Sequence, residues 1–294
     1  MSAPLVSVLT TAYNREKYIA ECIESVLAST FQDYEYIIVD DCSTDKSYEI
    51  ATAYAKKDSR IRVYRNEKNL GDYPNRNRAA SYATGKFLKY IDADDYLYPH
   101  GLSVIMSMVT RFPEAGLGFA SLEPDLKKPF PFQLSPREAY LRHYFEQPVF
   151  HKAPLSVIIR KDAFQSVGGF SGKRYVGDFE MWHVMAARYP VVLMPHGVVW
   201  YREHSEQEME LVRSSSLIKL EYSNIAVGQL RDPKCPLLPK EQAYALMGVK
   251  RAQARVILRN LARGECRRVR EMLKSSGLTL REFLWAAFSE SPRP

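Results

Sequence analysis

The sequence predicts an α/β fold: a Rossmann-like, mainly parallel sheet flanked by helices, with a helical C-terminal extension. Three observations predict it. Apolar runs alternate with amphipathic segments over roughly the first 120 residues, the pattern of βαβ units. Acidic and polar residues gather where the apolar runs end, and that edge of a parallel sheet is where ligands bind. From about residue 205 onward the pattern is helical, with no internal repeat or low-complexity tract.

The elements follow in order. "LVSVLTT", from Leu5, is a strand. "NREKYIAECIESVLAS" is a helix whose Ile19, Ile23, Val26 and Leu27 share one face. "YEYIIVDD" is the second strand, and "STDKSYEIATAYAKK" a helix opened by a Ser/Thr/Asp cap. "IRVYRN" is a third strand, "PNRNRAASYATG" a short helix with a glycine stop, and "KFLKYI" a fourth strand. "HGLSVIMSMVTRF" is the next helix. Residues 120–155, with "KKPFPFQLSP", read as a loop-dominated insertion. "PLSVIIRKDAFQSVGGF" returns to strand, short helix and Gly-Gly bend, and "GDFEMWHVMAARYP" is a helix ended by its proline. "VVLMP" and "GVVWYREH" read as a closing strand pair. The organisation expected is a domain over 1–205 and a basic helical extension over 206–294.

Composition excludes several classes. Hydrophobic residues make up 46% and charged ones 26% of the 294 residues, as in ordinary globular proteins. No apolar run approaches the ~18 residues of a membrane span. The first strand begins too early to leave room for a signal peptide, so a cytoplasmic location is expected. Cys22, Cys42, Cys235 and Cys266 form no C-x-x-C pair, which argues against zinc and redox motifs and for free thiols. The net charge of +7 is uneven: residues 206–294 hold 16 Lys/Arg against 10 Asp/Glu. In that tail Arg251, Arg255, Arg259 and Arg263 recur every fourth residue, opposite Ala254, Ile257, Leu258 and Leu261. Such a helix either packs on protein with a solvated arginine face or lies on an anionic membrane surface. No basic-aromatic module points to nucleic acid.

The stretch "YIDADDYLYP" poses the chemical question. Asp92, Asp94 and Asp95 crowd the end of an apolar strand, where like charges repel. A divalent cation relieves that repulsion, and Mg²⁺ or Mn²⁺ takes carboxylate oxygens while keeping positions open for phosphate. The alternative is an acid-rich turn capping the helix near Pro99. Asp40 and Asp41 close the second strand, and Thr11, Tyr13 and Asn14 follow the first. An aspartate there can accept an imide N–H of a base, and a tyrosine can stack on its ring. Core packing for Tyr13 and a turn role for Asp40 stand as alternatives. Arg76 is a charge-assisted donor toward a base or diphosphate, and Arg78 reads as a solvated helix charge. Asp178, opening a helix after a Gly-rich bend, is placed to act as a general base. Glu180 is its rival, and favourable placement at the helix dipole is the plain alternative. Trp182 and Trp200 are expected in the core.

Three stretches resemble family-2 glycosyltransferases: "VSVLTTAYNREKYIAECIESVLASTFQDYEYIIVDDCSTDKS", "NLGDYPNRNRAASYATGKFLKYIDADD" and "VGGFSGKRYVGDFEMWHVMAARY". The match runs in order over roughly residues 4–205. It implies a GT-A fold, a nucleotide-diphosphate sugar donor and inversion. By resemblance Asp95 of the D-x-D type motif is the metal ligand, with Asp92 and Asp94 nearer the ribose and the metal's waters. Thr11, Tyr13 and Asp41 then form a uridine-type pocket, and Asp178 is the catalytic base. His204, in "YREH", joins the metal site or contacts phosphate, unless it is a surface histidine. The family commonly has Glu-Asp where this chain has Gly177-Asp178, a departure that removes one supporting acid.

The expected function is a metal-dependent hexosyl transfer from a UDP-sugar to a hydroxyl of a glycan or lipid-linked acceptor, as in bacterial surface polysaccharide synthesis. Peripheral contact with the inner face of a membrane through the tail, and a homo-oligomer, are compatible with it. A non-catalytic sugar- or nucleotide-binding subunit is the rival, against which the retained Asp95 and Asp178 argue. A nucleotidyltransferase or a nicotinamide enzyme would need a Gly-rich loop after the first strand, and "TTAYNRE" has no glycine.

Overall fold

The computed structural model describes residues 3–204 and 215–288. The chain forms two compact units, Met1–Ala139 with Val149–Glu203, and Tyr140–Pro148 with His204–Pro294. The boundary expected at 205/206 falls outside the described residues.

The first unit is built on an eight-stranded sheet. β1 (Val6–Ala12), β2 (Tyr34–Asp40), β3 (Ile61–Arg65) and β4 (Phe87–Tyr90) run parallel in the order β3-β2-β1-β4. Their connections are α1 (Ile19–Leu27), α2 (Ser47–Ala55) and α3 (Asp72–Tyr82), which is the alternation read from the sequence. β1 is buried along nearly its whole length, as expected for a parallel strand covered on both faces. Ile19, Ile23 and Val26 of α1 pack into the core with Val6, Val8, Tyr36 and Ile38.

Beyond β4 the topology departs from simple alternation. β5 (Tyr96–Leu97) leaves the sheet, and α4 (Gly101–Val109) leads to β6 (Leu117–Leu122). Then come β7 (Phe132–Leu134), α5 (Pro136–Leu141), β8 (Val157–Arg160), α6 (Lys161–Ser166), α7 (Gly177–Ala186), β9 (Val191–Pro195) and β10 (Val199–Trp200). β8 inserts antiparallel between β4 and β6, β9 lies parallel to β6, and β7 closes the edge antiparallel to β9. Two expectations are corrected here. Residues 120–155 are not chiefly loop, since they include the second half of β6, all of β7 and α5, and a helical turn over Arg142–Glu146. The closing strands do not pair with each other: β9 joins the main sheet, while β10 pairs with β5 in a separate two-stranded ribbon.

The second unit is helical in its described C-terminal residues: Ser216–Arg231, Pro239–Ala262, Cys266–Ser276 and Leu280–Phe288. Leu220, Ile257, Val269 and Met272 form its apolar centre. The expected four-arginine stripe is broken. Arg255, Arg259 and Arg263 are exposed, but Arg251 is only 7% exposed, with its guanidinium 5.3 Å from the centre of the Trp285 ring. The contact with the ring face is a cation–π interaction that offsets part of the cost of taking this guanidinium out of water. No helix among the described residues is long and apolar enough to cross a membrane. All four cysteines are free thiols.

Candidate active site

The carboxyl ends of β1, β2 and β4 lie side by side, because β1 is hydrogen-bonded to both other strands. They carry Thr11 and Tyr13, Asp40 and Asp41, and the segment Ile91–Asp95. That segment is a tight turn in which the Asp95 N–H donates to the Asp92 carbonyl at 2.9 Å. Beneath it Thr10 donates to the Ile91 carbonyl at 2.8 Å, and the Cys22 thiol donates to the Asp92 carbonyl at 3.3 Å. Burial pushes that thiol up to about 12, so Cys22 stays neutral and acts as a donor.

The three aspartates of the turn are held differently. Asp94 is paired with Arg15 at 2.9 Å. Asp92 is paired with Arg76 at 2.7 Å. Asp95 is paired with no cationic side chain among the described residues: one oxygen accepts the Arg202 backbone N–H at 2.9 Å. Its Oδ2 is buried with no hydrogen-bond partner among the described residues. Burial, then the neighbouring Asp92 charge, pushes the Asp95 carboxyl up to about 8. A buried carboxylate oxygen that no hydrogen-bond donor among the described residues reaches fits a divalent cation. No group of three His, Cys, Asp or Glu suited to a metal occurs among the described residues. The site therefore fits a metal held by one or two carboxylates, with its other positions left to phosphate and water.

Arginines complete the turn, and sequence reasoning missed two of them. Arg15 reaches Asp94 from the loop after β1. The Arg202 side chain donates to the Asp94 carbonyl at 2.8 Å, pairs with Glu21, and lies 4.8 Å from the Trp200 ring centre. The signals were present in "YNREK" and "YREH", but nothing local shows that both segments return to the β4 end. Trp182 is in the core as expected, its indole N–H donating to the Lys152 carbonyl at 2.7 Å. Trp200 is not, being 42% exposed beside Arg202.

The β1 and β2 ends make a second pocket wall. Tyr13 is 46% exposed, which rules out core packing and leaves its ring open to stacking. Thr11 is half-buried at the same edge. Asp41 is buried, and its carboxylate accepts from the Leu70 and Gly71 N–H groups at 2.9 Å each and from Asn66 at 2.7 Å. Gly71 precedes α3 with φ of 88°, a conformation that suits glycine. Asp40 accepts the Ser43 N–H at 3.0 Å and lies 3.3 Å from Arg65.

α3 joins the two walls to Asp178. Its sequence, DYPNRNRAASY, is too polar for an ordinary core helix, yet Tyr73, Asn75 and Arg76 are buried. Arg76 bridges Asp72 at 2.8 Å and Asp92 at 2.7 Å. Arg78 is exposed. Asn77 clamps the bend before α7, donating to the Phe170 carbonyl at 2.8 Å and accepting the Phe170 N–H at 2.9 Å. Asp178 is half-buried in the first turn of α7, and Phe179 N–H donates to it at 2.7 Å. Burial raises its carboxyl to about 6, against the lowering effects of Phe179, Tyr73 and Arg76. Glu180, the rival, is tied up with Lys173 at 2.7 Å and with Ser171. His204 begins the second unit.

Comparison with known proteins shows the family and the fold. The profile described as Glycosyl transferase family 2 matches residues 7–168. EpsH of Bacillus subtilis, named as a glycosyltransferase, is 34% identical over 161 residues, covering 51% of this chain and 45% of EpsH. This chain thus spans less than half the length of that relative. Among solved structures, S. aureus TarS 1-349 in complex with UDP-GlcNAc matches with a TM-score of 0.66 at 19% identity, over 83% of this chain and 71% of TarS. The mannosyltransferase PcManGT of Pyrobaculum calidifontis, in complex with GDP-Man and Mn²⁺, matches with a TM-score of 0.59 at 17% identity, over 97% of this chain and 84% of that one. These two likenesses are of fold.

Proposed function

The chain belongs to glycosyl transferase family 2, with a GT-A fold, and from that premise we propose that it moves a hexosyl unit, with inversion, from a UDP-sugar to an acceptor hydroxyl. The observation that carries this reading is the continuity of α3. The helix ties the acid turn to the Asp178 region through Asp92, Arg76, Asp72 and Tyr73, so leaving-group and acceptor chemistry share one frame. Thr11, Tyr13 and Asp41 receive the base, with Tyr13 stacking on it. Asp95 would hold Mn²⁺ or Mg²⁺, with Asp92 and Asp94 beside it, and such a cation would supply positive charge to a departing diphosphate. Arg15 and Arg76 compensate Asp94 and Asp92, and Arg202 holds the turn through the Asp94 carbonyl, so that the donor meets a turn of fixed shape.

Asp178 takes the proton of the acceptor hydroxyl as its oxygen forms the new bond to the anomeric carbon and UDP leaves. A carboxylate raised to about 6 is ionised at neutral pH and a stronger base than an ordinary aspartate. The acceptor we infer is a hydroxyl of a glycan or lipid-linked glycan in bacterial surface polysaccharide synthesis. In that setting the exposed Arg255, Arg259 and Arg263 meet anionic lipid on the cytoplasmic face. The sheet domain carries the catalysis and the basic helices form an extension.

UDP release from UDP-GlcNAc, UDP-glucose and UDP-galactose, with Mn²⁺, compares Asp178→Asn with Glu180→Gln. Asp178→Asn is expected to lose ~10²- to 10⁴-fold in turnover with donor affinity unchanged. A dead Glu180→Gln beside an active Asp178→Asn would overturn the assignment. Calorimetric titration of UDP with and without Mn²⁺, on Asp95→Ala and His204→Ala, tests the two expected metal contacts.

A further inference from the structure

Gly177 lies against an aromatic ring. A Cβ built at this glycine would stand 2.7 and 2.8 Å from two carbons of the Tyr73 ring, closer than a real side chain tolerates. Tyr73 is buried, and Phe170 packs on it at 5.1 Å between ring centres. Asn77, one turn further along α3, clamps that same Phe170 backbone. The ring is therefore gripped from two sides, and its hydroxyl interacts with Asp178. The missing side chain at 177 is what admits the tyrosine.

We propose that Tyr73 is a positioning residue for the base: its ring fills the space over Gly177 and its hydroxyl holds the Asp178 carboxylate in one orientation and in its charged form. This rests on the reading of Asp178 as the base. The Phe179 N–H holds one carboxylate oxygen at 2.7 Å, and that single bond still lets the group swing away from the acceptor. A phenol donating to one oxygen fixes the rotamer and leaves the other oxygen for the proton. Of the other charged groups, Arg76 and Asp72 on α3 act on Asp178, and Glu180 and His183 share its helix, α7. Arg76 is occupied by Asp72 and Asp92, and Glu180 by Lys173. His183 is buried, with its Nδ1 2.8 Å from the Phe179 carbonyl.

The test needs no identified acceptor. The ¹³C resonance of the Asp178 carboxyl, assigned through Asp178→Asn, is followed against pH in wild type, Tyr73→Phe and Gly177→Ala. Both substitutions are expected to raise the midpoint, Tyr73→Phe by about one pH unit. UDP release from UDP-GlcNAc, UDP-glucose and UDP-galactose should fall roughly tenfold in kcat for Tyr73→Phe, with KM for the donor unchanged. Gly177→Ala keeps the hydroxyl and displaces the ring, so it separates placement from chemistry. An unmoved midpoint in both variants overturns the proposal, as does a loss of turnover in Tyr73→Phe with no shift in titration. If Asp178→Asn keeps its turnover, the base reading fails and takes this proposal with it. If Asp178→Asn is dead and Tyr73→Phe behaves as wild type, only the role of Tyr73 fails.

Discussion

The ends of β2 and β4 each bury an aspartate, Asp41 at 2% and Asp95 at 1% exposure. They are chemically identical and nearly equally covered, yet their surroundings differ. Asp41 is wrapped by two backbone N–H groups and an asparagine. Asp95 has one oxygen bonded to a backbone N–H and the other without a hydrogen-bond partner among the described residues. The bonds to Asp41 clasp the loop from Asn66 to Gly71, so the acid proposed to meet the base is held in place before any donor arrives. An unsatisfied buried acid costs stability, and the fold tolerates it where something else is to be bound.

The comparison is breakable at either end. Asp41→Ala leaves the Leu70 and Gly71 N–H groups without an acceptor and should cost about 3 kcal/mol, read as a fall in Tm. A Tm within a degree of wild type would mean the clasp is dispensable. Asp95→Asn should act in the opposite sense in metal-free protein above pH 8, where the carboxyl is ionised, raising Tm by about 2–4 °C because a repelled buried charge is removed. The same variant should lose the Mn²⁺-dependent tightening of UDP. If it melts below wild type, the bare oxygen is not a source of strain.

pH sharpens the contrast further. The Asp95 carboxyl is raised from 3.8 to about 8, and Asp178 from 3.8 to about 6. The folded state then holds protons that the unfolded chain releases, so metal-free stability should fall as pH rises from about 4 towards 8. Asp95→Asn should flatten the upper part of that slope. Turnover, which needs ionised Asp178, should fall as pH drops through about 6. The smallest effect expected is in the second unit. Changing Arg255 and Arg259 to Gln should weaken binding to anionic vesicles by about 1 kcal/mol each, measured by co-sedimentation at low salt. Arg251→Gln, buried beside Trp285, should instead lower Tm and leave vesicle binding as it was.

The acid turn, Tyr13, Arg76 and Asp178 were legible in the sequence because each sits at a strand or helix end, and local periodicity locates those ends. Arg15 and Arg202 were not legible as members of the site. They come from segments about 180 residues apart, and only the return of the β10 ribbon to β5 brings Arg202 to Asp94 and Asp95. Tyr73 was hidden for a related reason. In "GDYPNRN" it reads as one aromatic among many, and its ring acquires meaning only against Gly177, more than a hundred residues away.

The sequence by itself determined the βα alternation of the first half, the edge where the acids gather and the helical character of the tail. These depend on hydrophobic period and on turn chemistry, both written within a few residues. Tertiary structure alone decided that β8 enters the sheet antiparallel, that Trp200 is exposed while Arg251 is buried, and that Asp41 is satisfied while Asp95 is not. Each of those outcomes depends on which distant groups compete for one buried position. The energy of a polar group is set by the partners that reach it, and those partners are chosen by the packing of the whole unit.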